Sequence, residues 1–386
     1  MNNDRPLTIA LITTQAFSLG NFRGQLIRAL CNAEVKVLAL APDYDDDTRA
    51  TVAAFGATPV DCRLKRTGMN PLSDALDTLH LTLLLRRLCP DIILGYTIKA
   101  VIFGTVAAWL ARVPRRFAMI EGLGFVFSET IGNLSLKRRL LRSTVLFLYR
   151  IALVRADRVM FLNPDDVAYC VNNGVVSREK ASCLGGIGVD LAEWGSVPSV
   201  IVPVTFLLAA RLLREKGIVE YITAARLVKL KYPDVRFILL GGLDTNPGGL
   251  GRAEVEAWAQ EGIIEWPGHV SVRQWLEQAS VYVLPSYYRE GVPRSTQEAM
   301  SMGRPVITTD SPGCRETVEQ GVNGFMVPVR DVSALEQAML KFVRQPELIA
   351  PMGTASRRMA EAKFDVHKIN AKIFKIMAID PGSMQS

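Results

Sequence analysis

The sequence predicts an α/β protein built from two doubly wound, parallel-sheet domains. Short apolar, β-branched runs alternate with stretches long enough for a helix, which is the βαβα rhythm of a parallel sheet. The rhythm stops near residues 190–203, where glycine and proline interrupt both periodicities, and then starts again. A length of 386 residues is enough for two domains of ordinary size.

Each domain supplies its own series of predicted strands. The first domain, residues 1–195, has runs at 7–13, 35–40, 91–96, 116–120 and 158–162. The second domain, residues 196–365, has runs at 204–209, 235–240, 263–266, 281–285, 305–309 and 325–328. Helical patterns lie between the runs in both series. Residues 366–386 are predicted as a C-terminal helix and tail that can pack back on the first domain.

Open parallel sheets of this Rossmann-like kind bind ligands beyond the carboxyl ends of their strands. Two such domains that face one another would form a cleft between them. We therefore expect the chemistry of this protein to lie in an interdomain cleft.

Composition excludes several classes of protein. Apolar residues make up 49% and charged residues 22% of the chain, which is ordinary globular usage and not that of a disordered or collagen-like protein. Six scattered cysteines and three histidines support neither a disulfide framework nor a structural zinc site. The first residues lack the pattern of a signal peptide, and the apolar run at 143–154 is shorter than the ~20 residues of a membrane span. We expect a cytoplasmic protein in a reducing compartment.

The net charge of +7 is unevenly distributed. Residues 1–190 contain 23 basic and 17 acidic residues, whereas residues 191–386 contain 22 and 21. The segment 137–158 has seven basic residues and one acidic residue, so an acidic partner is expected there. On a helical wheel Arg138, Arg139, Arg142 and Arg150 fall within about a third of the circumference, with apolar residues largely opposite. This helix is predicted either to lie on anionic lipid, at about 1 kcal/mol for each cation near the surface, or to be a core helix with one wet basic face.

The strongest functional signal follows the predicted strand at 281–285. Glu290 lies in a loop, and Glu298 lies eight residues later, about two turns along a helix that Pro293 can start and Ser295 can cap. The loop carboxylate could accept hydroxyl groups of a sugar ring, and the helix carboxylate could bind a diol such as ribose. The N-terminal amides of the same helix would face a phosphate. Without its flanking strand, a helix with two acids is usually a solvated face.

Three other segments give weaker signals. Arg211 and Lys216 follow the first strand of the second domain, where cations suit a departing diphosphate, although a solvated basic loop is the alternative. The glycine loop at Gly20 precedes a helix predicted to open near Phe22 and could present amides to a phosphate. Gly242 follows the next strand of the second domain. Each glycine is equally compatible with an ordinary tight turn.

The segment from residue 283 to residue 327 resembles the signature of retaining GT-B glycosyltransferases of family 4. The resemblance rests on Glu290 and Glu298 in E-x7-E spacing, on Gly-Arg-Pro-Val at 303–306 and on Asn-Gly-Phe at 323–325. Arg211 and Lys216 are similar to the diphosphate clamp of that family. Finer features at 96–99 and 121–127 resemble a bacterial subgroup that extends polyprenyl-diphosphate-linked sugars. That subgroup includes N-acetylgalactosaminyltransferases of N-glycan and O-antigen assembly.

The resemblance implies a role for each matching residue. It implies that Glu298 holds the ribose of a UDP-sugar and that Glu290 holds hydroxyl groups of the donor hexose. Arg211 and Lys216 would hold the diphosphate, and the loop at Gly20 would close over the same phosphates. The rest of the implied nucleotide-sugar site is Gly242, Gly291, Val292, Pro293, Arg294 and Ser295. Transfer with retention, without a metal ion or other cofactor, is also implied, with the β-phosphate oxygen of the donor taking the acceptor proton.

One position departs from the family pattern. Many members have a histidine at a strand end in the first domain, where this chain has Glu121. We include Glu121 with Glu290, Arg211 and Lys216 as a catalytic candidate that orients the acceptor hydroxyl or stabilises positive charge at the anomeric carbon. The alternative is a glutamate bonded to the glycine-rich turn that follows it. The triplet at 45–47, Asp-Asp-Asp, is compatible with a metal site but is interpreted as a solvated loop.

Basic residues of the first domain are the candidates for acceptor and membrane binding. Lys99 is a candidate for the diphosphate of a polyprenyl-linked acceptor, and so are Arg63, Lys65 and Arg66. The basic helix adds Lys137, Arg138, Arg139, Arg142 and Arg150. Solvated surface charge is the alternative for any one of them.

We expect a transferase that moves an N-acetylhexosamine, with GalNAc in alpha linkage as the best choice, from UDP to an undecaprenyl-diphosphate-linked saccharide. It would act as a peripheral protein at the cytoplasmic face of the bacterial inner membrane, in the assembly of a surface polysaccharide or a glycoprotein glycan. One alternative is a UDP-sugar epimerase of similar fold, which needs no acceptor. Another is a nucleic-acid-binding protein that uses the basic helix, but this leaves Glu290 and Glu298 without a purpose, so no nucleic-acid partner is expected.

Overall fold

The computed structural model describes residues 5–65, 68, 70–128, 136–244, 246 and 248–380. The chain divides into two compact units. The first unit contains residues 1–121, 134–184 and 367–386, and the second contains residues 122–133 and 185–366. The sequence placed residues 185–195 with the first domain, whereas this division places them with the second unit. It also places a short segment that directly follows Glu121 in the second unit.

The first unit is built on a parallel sheet. Over the described residues its strand order is β3-β2-β1-β4-β5-β6-β7. The strands are β1 (Thr8–Ile12), β2 (Lys36–Ala41), β3 (Thr58–Asp61), β4 (Ile92–Tyr96), β5 (Arg115–Ile120), β6 (Arg158–Phe161) and β7 (Ala181–Cys183). The sequence predicted five of them and missed β3 and β7. These two are the edge strands, and their short, half-exposed segments lack the apolar run that marks a buried parallel strand.

Helices join these strands. They are α1 (Ala16–Asn32), α2 (Asp46–Ala54), α3 (Pro71–Leu88), α4 (Thr105–Leu110), α5 (Leu136–Leu153) and α6 (Pro164–Asn172), and a π-helical stretch, Ala100–Gly104, leads into α4. Side-chain caps fix three of the starts. Asp45 accepts a hydrogen bond from the amide of Thr48, Asn70 caps α3, and Asn163 caps α6.

The second unit contains another parallel sheet, of order β10-β9-β8-β11-β12-β13 within the described part of the chain. Its strands are β8 (Thr205–Ala209), β9 (Arg236–Leu240), β10 (Glu265–Gly268), β11 (Val281–Leu284), β12 (Val306–Thr309) and β13 (Gly324–Val327). Five of these six were predicted from apolar runs, and the sixth run, at 263–266, overlaps the edge strand β10 only at residues 265 and 266. The predicted fold class, two doubly wound parallel sheets, is therefore confirmed.

The helices of the second unit cover this sheet. They are α7 (Ile218–Lys231), α8 (Arg252–Gln260), α9 (Val272–Glu277), α10 (Arg294–Ser301), α11 (Val332–Arg344) and α12 (Ile349–Lys363), and α13 (Val366–Met377) follows. Fully buried aromatic residues fill the space between sheet and helices, and the rings of Phe206 and Phe237 stack at 5.2 Å. The strand order reverses between β8 and β11. Loops that leave these two strands separate there, which is where open α/β sheets bind ligands.

No helix in the described ranges combines the length and the apolar character needed to span a bilayer.

Candidate functional site in the second unit

The loops that follow β8 and β11 bring a cation and a carboxylate together. Lys216 lies in the segment after β8, and Glu290 lies in the segment after β11. The Lys216 ammonium donates a hydrogen bond to Glu290 Oε1. The two side chains are only 12% and 10% exposed, so little solvent screens the ion pair. The sequence proposed both residues as site residues, and the structure places them in direct contact.

Two residues beside the pair of Lys216 and Glu290, Ser286 and Tyr288, were not predicted as site residues. The Ser286 hydroxyl lies 3.0 Å from the same Glu290 oxygen, and the Lys216 ammonium lies 4.9 Å from the centre of the Tyr288 ring. The amides of Tyr287 and Tyr288 both donate to the carbonyl oxygen of Glu215 at 2.9 Å. The loop after β11 is therefore held by backbone bonds to the loop after β8, which fixes the distance between Lys216 and Glu290.

Arg211 forms a second ion pair at this edge of the sheet. Its guanidinium donates to Asp244 at 2.9 Å, and Asp244 is 9% exposed while Arg211 is 45% exposed. The glycine pair before Asp244 explains the approach of the two loops. Gly241 has φ +148°, and a Cβ there would overlap the carbonyl oxygen of Ala210. The carbonyl oxygen of Gly242 accepts a hydrogen bond from the amide of Leu212 at 3.1 Å. Gly242 thus shapes the loop that holds Arg211.

Helix α10 carries the second predicted carboxylate. Glu298 accepts a hydrogen bond from Arg294, one turn earlier on the same helix, at 2.8 Å. Burial raises the pKa of Glu298 to about 7, although the Arg294 guanidinium acts in the opposite direction. A ligand that donates hydrogen bonds to the Glu298 carboxylate would stabilise its ionised form and lower this pKa again.

The start of α10 differs from the prediction. Pro293 occupies the N-cap position, but Ser295 does not cap the helix, because its hydroxyl bonds to the Tyr282 hydroxyl at 2.6 Å. The turn before the helix is held instead by Gln297, whose amide nitrogen donates to the carbonyl oxygen of Val292 at 3.0 Å. The side-chain oxygen Oε1 of Gln297 accepts from the backbone amide of Gly188 at 3.1 Å. Because Pro293 has no polar side chain, no side chain at the N-cap position bonds to the first-turn amides of α10.

A segment from the glycine-rich motif at 121–127 packs against the β11 loop. The amide of Gly124 donates to the carbonyl oxygen of Arg289 at 3.1 Å, and the amide of Arg289 donates to the Ser128 hydroxyl at 2.9 Å. Gly122 has φ +123°, and a Cβ there would lie 2.5 Å from the amide nitrogen of Gly291. The glycine of this motif is therefore required for the backbones to approach.

Candidate residues in the first unit

Glu121 is held by an arginine that the sequence analysis did not consider. The guanidinium of Arg23, on α1, donates a hydrogen bond to Glu121 Oε1. Arg23 is only 2% exposed, and its guanidinium carbon lies 4.8 Å from the centre of the Tyr96 ring. The carboxylate at the end of β5 is thus fixed by a buried cation. Its catalytic role stays a prediction.

The predicted glycine loop at Gly20 is wrong. Helix α1 begins at Ala16, so Gly20 lies inside the helix and not in a loop before it. A Cβ on Gly20 would lie 3.0 Å from the Thr51 side chain, which shows that the glycine permits α1 and α2 to pack closely. The amide of Ala16 already donates to Asp43 at 2.6 Å. Gly20 therefore presents no free loop amides to a phosphate.

Lys99 forms a well-buried ion pair. Its ammonium lies 2.7 Å from Asp74 on α3, and both side chains are 11% exposed. The structure thus places Lys99 in an internal pair at the carboxyl edge of β4, while Arg63 and Lys65 are exposed. Arg66 lies outside the described residues.

The basic helix α5 agrees with the prediction only in part. Both interpretations had the arginines outward, and Arg139 and Arg150 are exposed, although Arg150 also donates to the carbonyl oxygens of Asn173 and Gly174. Arg142 is half-buried and donates to the Tyr169 hydroxyl. Arg138 is half-buried, whereas Lys137 and Arg139 are exposed. The most exposed apolar side chains are those predicted to lie opposite the arginines: Leu136 at 82%, Leu140 at 68% and Phe147 at 58%. The outward face of α5 therefore carries apolar and basic side chains together.

The aspartate triplet has a structural role at its first residue. The Asp45 carboxylate accepts from the amide of Thr48, and the Thr48 hydroxyl accepts from the amide of Asp45, so the two residues form a capping box at the start of α2. Over the described residues, no group of three or more histidine, cysteine or acidic side chains converges as metal ligands.

Comparison with known proteins

Two family profiles match the chain, one in each half. A glycosyl transferase 4-like domain matches residues 19–184, and the glycosyl transferases group 1 domain matches residues 203–345. Together they span most of the sequence. The chain belongs to the GT4 glycosyltransferases. The second profile covers Arg211, Lys216, Glu290 and Glu298, so the site described above lies within the glycosyltransferase domain.

Two relatives of this glycosyltransferase have activities stated in their names. A Campylobacter jejuni protein, N,N'-diacetylbacillosaminyl-diphospho-undecaprenol alpha-1,3-N-acetylgalactosaminyltransferase, is 25% identical over 89% of this chain and 91% of its own length. An Escherichia coli protein, UDP-Gal:alpha-D-GlcNAc-diphosphoundecaprenol alpha-1,3-galactosyltransferase, is 25% identical over 78% of this chain and 76% of its own.

Solved structures show the same fold. Sucrose-phosphate synthase from Thermosynechococcus elongatus superposes with a TM-score of 0.78 at 19% identity, covering 96% of this chain and 98% of that one. HepE from Anabaena, solved with UDP and glucose, superposes with a TM-score of 0.75 at 18% identity, covering 96% and 99%. At these identities the likeness establishes the GT-B fold of the glycosyltransferase.

Proposed function

We propose that this glycosyltransferase moves an N-acetylhexosamine, GalNAc in alpha linkage, from a UDP-sugar to an undecaprenyl-diphosphate-linked saccharide. The Campylobacter relative supports this choice of donor sugar, and both relatives described above support the lipid-linked acceptor. The reaction would contribute to a bacterial surface polysaccharide or glycoprotein glycan. It would take place at the cytoplasmic face of the inner membrane, with the enzyme bound peripherally.

The observation that carries the proposal is the buried ion pair of Lys216 and Glu290 at the carboxyl edge of β8 and β11. A buried ammonium is suited to the charge that grows on a departing diphosphate, because the low local dielectric strengthens the attraction. A carboxylate beside it can accept hydrogen bonds from the hydroxyl groups of the donor sugar. The pair would thus contact both the sugar and the diphosphate of the donor, and the bond that breaks lies between them.

Arg211 would complete the diphosphate site. Its guanidinium is half-exposed and anchored on Asp244, so it can hold a phosphate oxygen without losing its own support. The backbone of Gly242 sets the position of this loop. We propose no metal ion or other cofactor, because Arg211 and Lys216 supply two positive charges for the leaving group.

Glu298 and the turn before α10 would bind the nucleotide. The ribose hydroxyl groups would donate to the Glu298 carboxylate and stabilise its ionised form inside a buried environment. Arg294 would favour the charged form of that carboxylate, against the larger effect of burial. The backbone N–H groups of Gly291, Val292, Arg294 and Ser295 are placed at a helix start, which favours a phosphate oxygen, and Pro293 between them has no N–H and would only shape the turn.

The transfer itself would take place on one face of the sugar ring. The bond between the anomeric carbon and the β-phosphate oxygen breaks, and the bond between that carbon and the acceptor hydroxyl oxygen forms. The acceptor proton passes to the oxygen of the departing β-phosphate, so the products are UDP and the elongated lipid-linked saccharide. Glu121, fixed by Arg23, would orient the acceptor or stabilise positive charge on the sugar. Lys99 would bind the acceptor diphosphate by exchanging its pairing with Asp74 for the phosphate.

A panel of UDP-sugars tests the donor assignment. Thermal unfolding of the purified protein is measured with UDP-GalNAc, UDP-GlcNAc, UDP-galactose and UDP-glucose, and UDP release is followed with and without an undecaprenyl-diphosphate-linked sugar. We expect UDP-GalNAc to stabilise the protein most, and UDP release to require the acceptor. Isomerisation of a UDP-sugar in the absence of acceptor would contradict the proposal and indicate an epimerase.

A further inference from the structure

Helix α3 buries Leu81 and Leu85 in the core of the first unit but exposes four other leucines. At its exposed face lie Leu72 (78% exposed), Leu76 (57%), Leu79 (54%) and Leu83 (53%). Their spacing of four, three and four residues places them in one stripe along the helix. The stripe is about 16 Å long at the helical rise per residue. A globular helix ordinarily turns such a stripe toward the core.

The face of α3 that is turned inward is polar at several positions. Asp74, Asp77, Thr78 and Thr82 are all buried. Asp74 pairs with Lys99 at 2.7 Å, and the hydroxyls of Thr78 and Thr82 donate to the helix carbonyls four residues earlier, at 2.6 and 2.8 Å. The pair of Asp74 with Lys99 joins α3 to the segment after β4 and so fixes the rotation of the helix, whereas the two threonine bonds lie within α3 and satisfy buried hydroxyl groups. The exposure of the leucines is therefore built into the packing of the first unit.

Neighbouring helices extend the apolar surface. Helices α3 and α5 both pack against α4 and against the stretch Ala100–Gly104, so the three helices form one layer. Helix α4 exposes Trp109 at 44% and Leu110 at 40%, and α5 exposes Leu136, Leu140 and Phe147. We call the outward side of α3, α4 and α5 the leucine face.

Charge identifies the occupant of this surface. Asp74 and Asp77 are the acidic residues in the sequences of these three helices, and both are buried, so the leucine face, as these described helices form it, presents no carboxylate. Exposed cations lie along it: Arg86 and Arg87 at the end of α3, and Lys137 and Arg139 at the start of α5. Arginine and lysine beside an apolar stripe suit an anionic lipid surface, in which the stripe enters the acyl boundary and the cations meet headgroups. A second copy of the chain would bring like charges together.

We propose that the leucine face docks the protein on an anionic lipid bilayer, with α3 lying in the plane of the interface. This inference extends the proposed function, in which the acceptor is held by a membrane. It assigns the contact to the leucines of α3 and the apolar side of α5, and not to the arginines of α5 that bond within the protein.

Vesicle binding without donor or acceptor tests the inference. Co-sedimentation is measured with vesicles of phosphatidylcholine alone and with vesicles that also contain phosphatidylglycerol. The test variant is Leu76→Ser/Leu79→Ser/Leu83→Ser. The matched control is Leu227→Ser/Leu230→Ser/Val322→Ser, which removes exposed apolar residues from the second unit. All six positions are exposed, so both variants are expected to fold, and thermal unfolding checks this.

We expect the parent and the control to bind the anionic vesicles and the α3 variant to bind at least about tenfold more weakly, because three inserted side chains are lost. Equal binding by the α3 variant and the parent would overturn the inference. It would also be overturned if the parent is a dimer that the α3 substitutions convert to a monomer without any change in vesicle binding. Because the vesicle assay contains no substrate, failure of the donor assay leaves its result unaffected. Failure of vesicle binding likewise leaves the donor assignment unaffected.

Discussion

The ammonium of Lys216 donates a hydrogen bond to the carboxylate of Glu290 and so connects the loops that leave two neighbouring strands, β8 and β11. Both side chains are almost buried. In the donor-free protein each charge therefore compensates the other. On donor binding, the diphosphate and a sugar hydroxyl can share this pair without leaving either charge unpaired.

Replacement of either Lys216 or Glu290 alone should leave the other charge buried and unpaired. Lys216→Met leaves the Glu290 carboxylate buried without its cation, and we expect a loss of about 3 kcal/mol in the free energy of unfolding. Urea denaturation at neutral pH measures this loss. Turnover should also fall at least about a hundredfold, because the leaving group loses a cation.

The double variant Lys216→Met/Glu290→Gln separates stability from catalysis. We expect it to recover most of the lost stability, because no buried charge remains unpaired, and to stay inactive. A double variant as unstable as Lys216→Met would contradict the role of the pair in folding. Recovery of turnover would contradict its role in transfer.

Glu298 should make stability depend on pH. Burial raises its pKa to about 7, above the ordinary glutamate value of 4.5 in the unfolded chain. The folded protein therefore holds a proton that the unfolded chain has released, and stability falls as pH rises between these two values. Glu298→Gln removes this fall. Its stability relative to the parent should rise by about 3 kcal/mol between roughly pH 5 and pH 8, as measured by denaturation at each pH.

Donor binding should show the opposite trend with pH. Ribose hydroxyls need the ionised carboxylate as acceptor, so UDP-GalNAc should bind the parent more tightly as pH rises through about 7. Calorimetric titration measures the dissociation constant across this range. The trend should be absent in Glu298→Gln, and an equally steep trend in that variant would remove Glu298 from the ribose site.

Gly122 should tolerate no side chain. Its φ of +123° and its approach to the amide of Gly291 predict that Gly122→Ala strains the backbone and separates the two segments. We expect a loss of about 3 kcal/mol, from the unfavourable dihedral and from overpacking. Gly262→Ala is the control, because Gly262 has φ +71° and a Cβ added there would meet no atom within 4 Å, and it should cost about 1 kcal/mol. Equal losses in denaturation would show that the close approach carries no cost.

Asp45 should matter for stability and not for transfer. Asp45→Ala removes the side-chain cap of α2 and should lower the free energy of unfolding, because the amide of Thr48 loses its acceptor. Asp47→Ala leaves the cap in place and should cost only about 0.5 kcal/mol, from the helix dipole. Turnover of both variants should equal that of the parent with or without a chelator. Loss of turnover in Asp45→Ala that added divalent metal restores would indicate a metal site.

Much of the fold follows from local patterns in the sequence. Buried parallel strands are nearly continuous apolar runs, so five strands of the second sheet were visible, and the edge strand β10 was placed two residues early. The carboxyl ends of β8 and β11 predicted where Lys216 and Glu290 would lie. The edge strands β3 and β7 lack such runs and were missed. Gly20 was misplaced because the first helix begins without a side-chain cap that marks its start.

The long-range partners could not be read from the sequence. Arg23 and Glu121 are separated by 98 residues, and Arg211 and Asp244 by 33, so no local spacing signals either pair. The exposure of the α3 leucines depends on the pair of Asp74 with Lys99, and the orientation of Arg142 on α5 depends on its bond to Tyr169. A helical wheel gives the angle between two faces of a helix but not which face the rest of the protein will cover.

The most direct test of the account is the mass of the lipid product. Purified protein is incubated with UDP-GalNAc and an undecaprenyl-diphosphate-linked saccharide in anionic vesicles, with Glu290→Gln as the matched control, and the extracted lipid is analysed by mass spectrometry. We predict that the parent adds one N-acetylhexosamine to the acceptor and that Glu290→Gln adds none. An unchanged acceptor with the parent protein, or equal product with Glu290→Gln, would contradict the central claim.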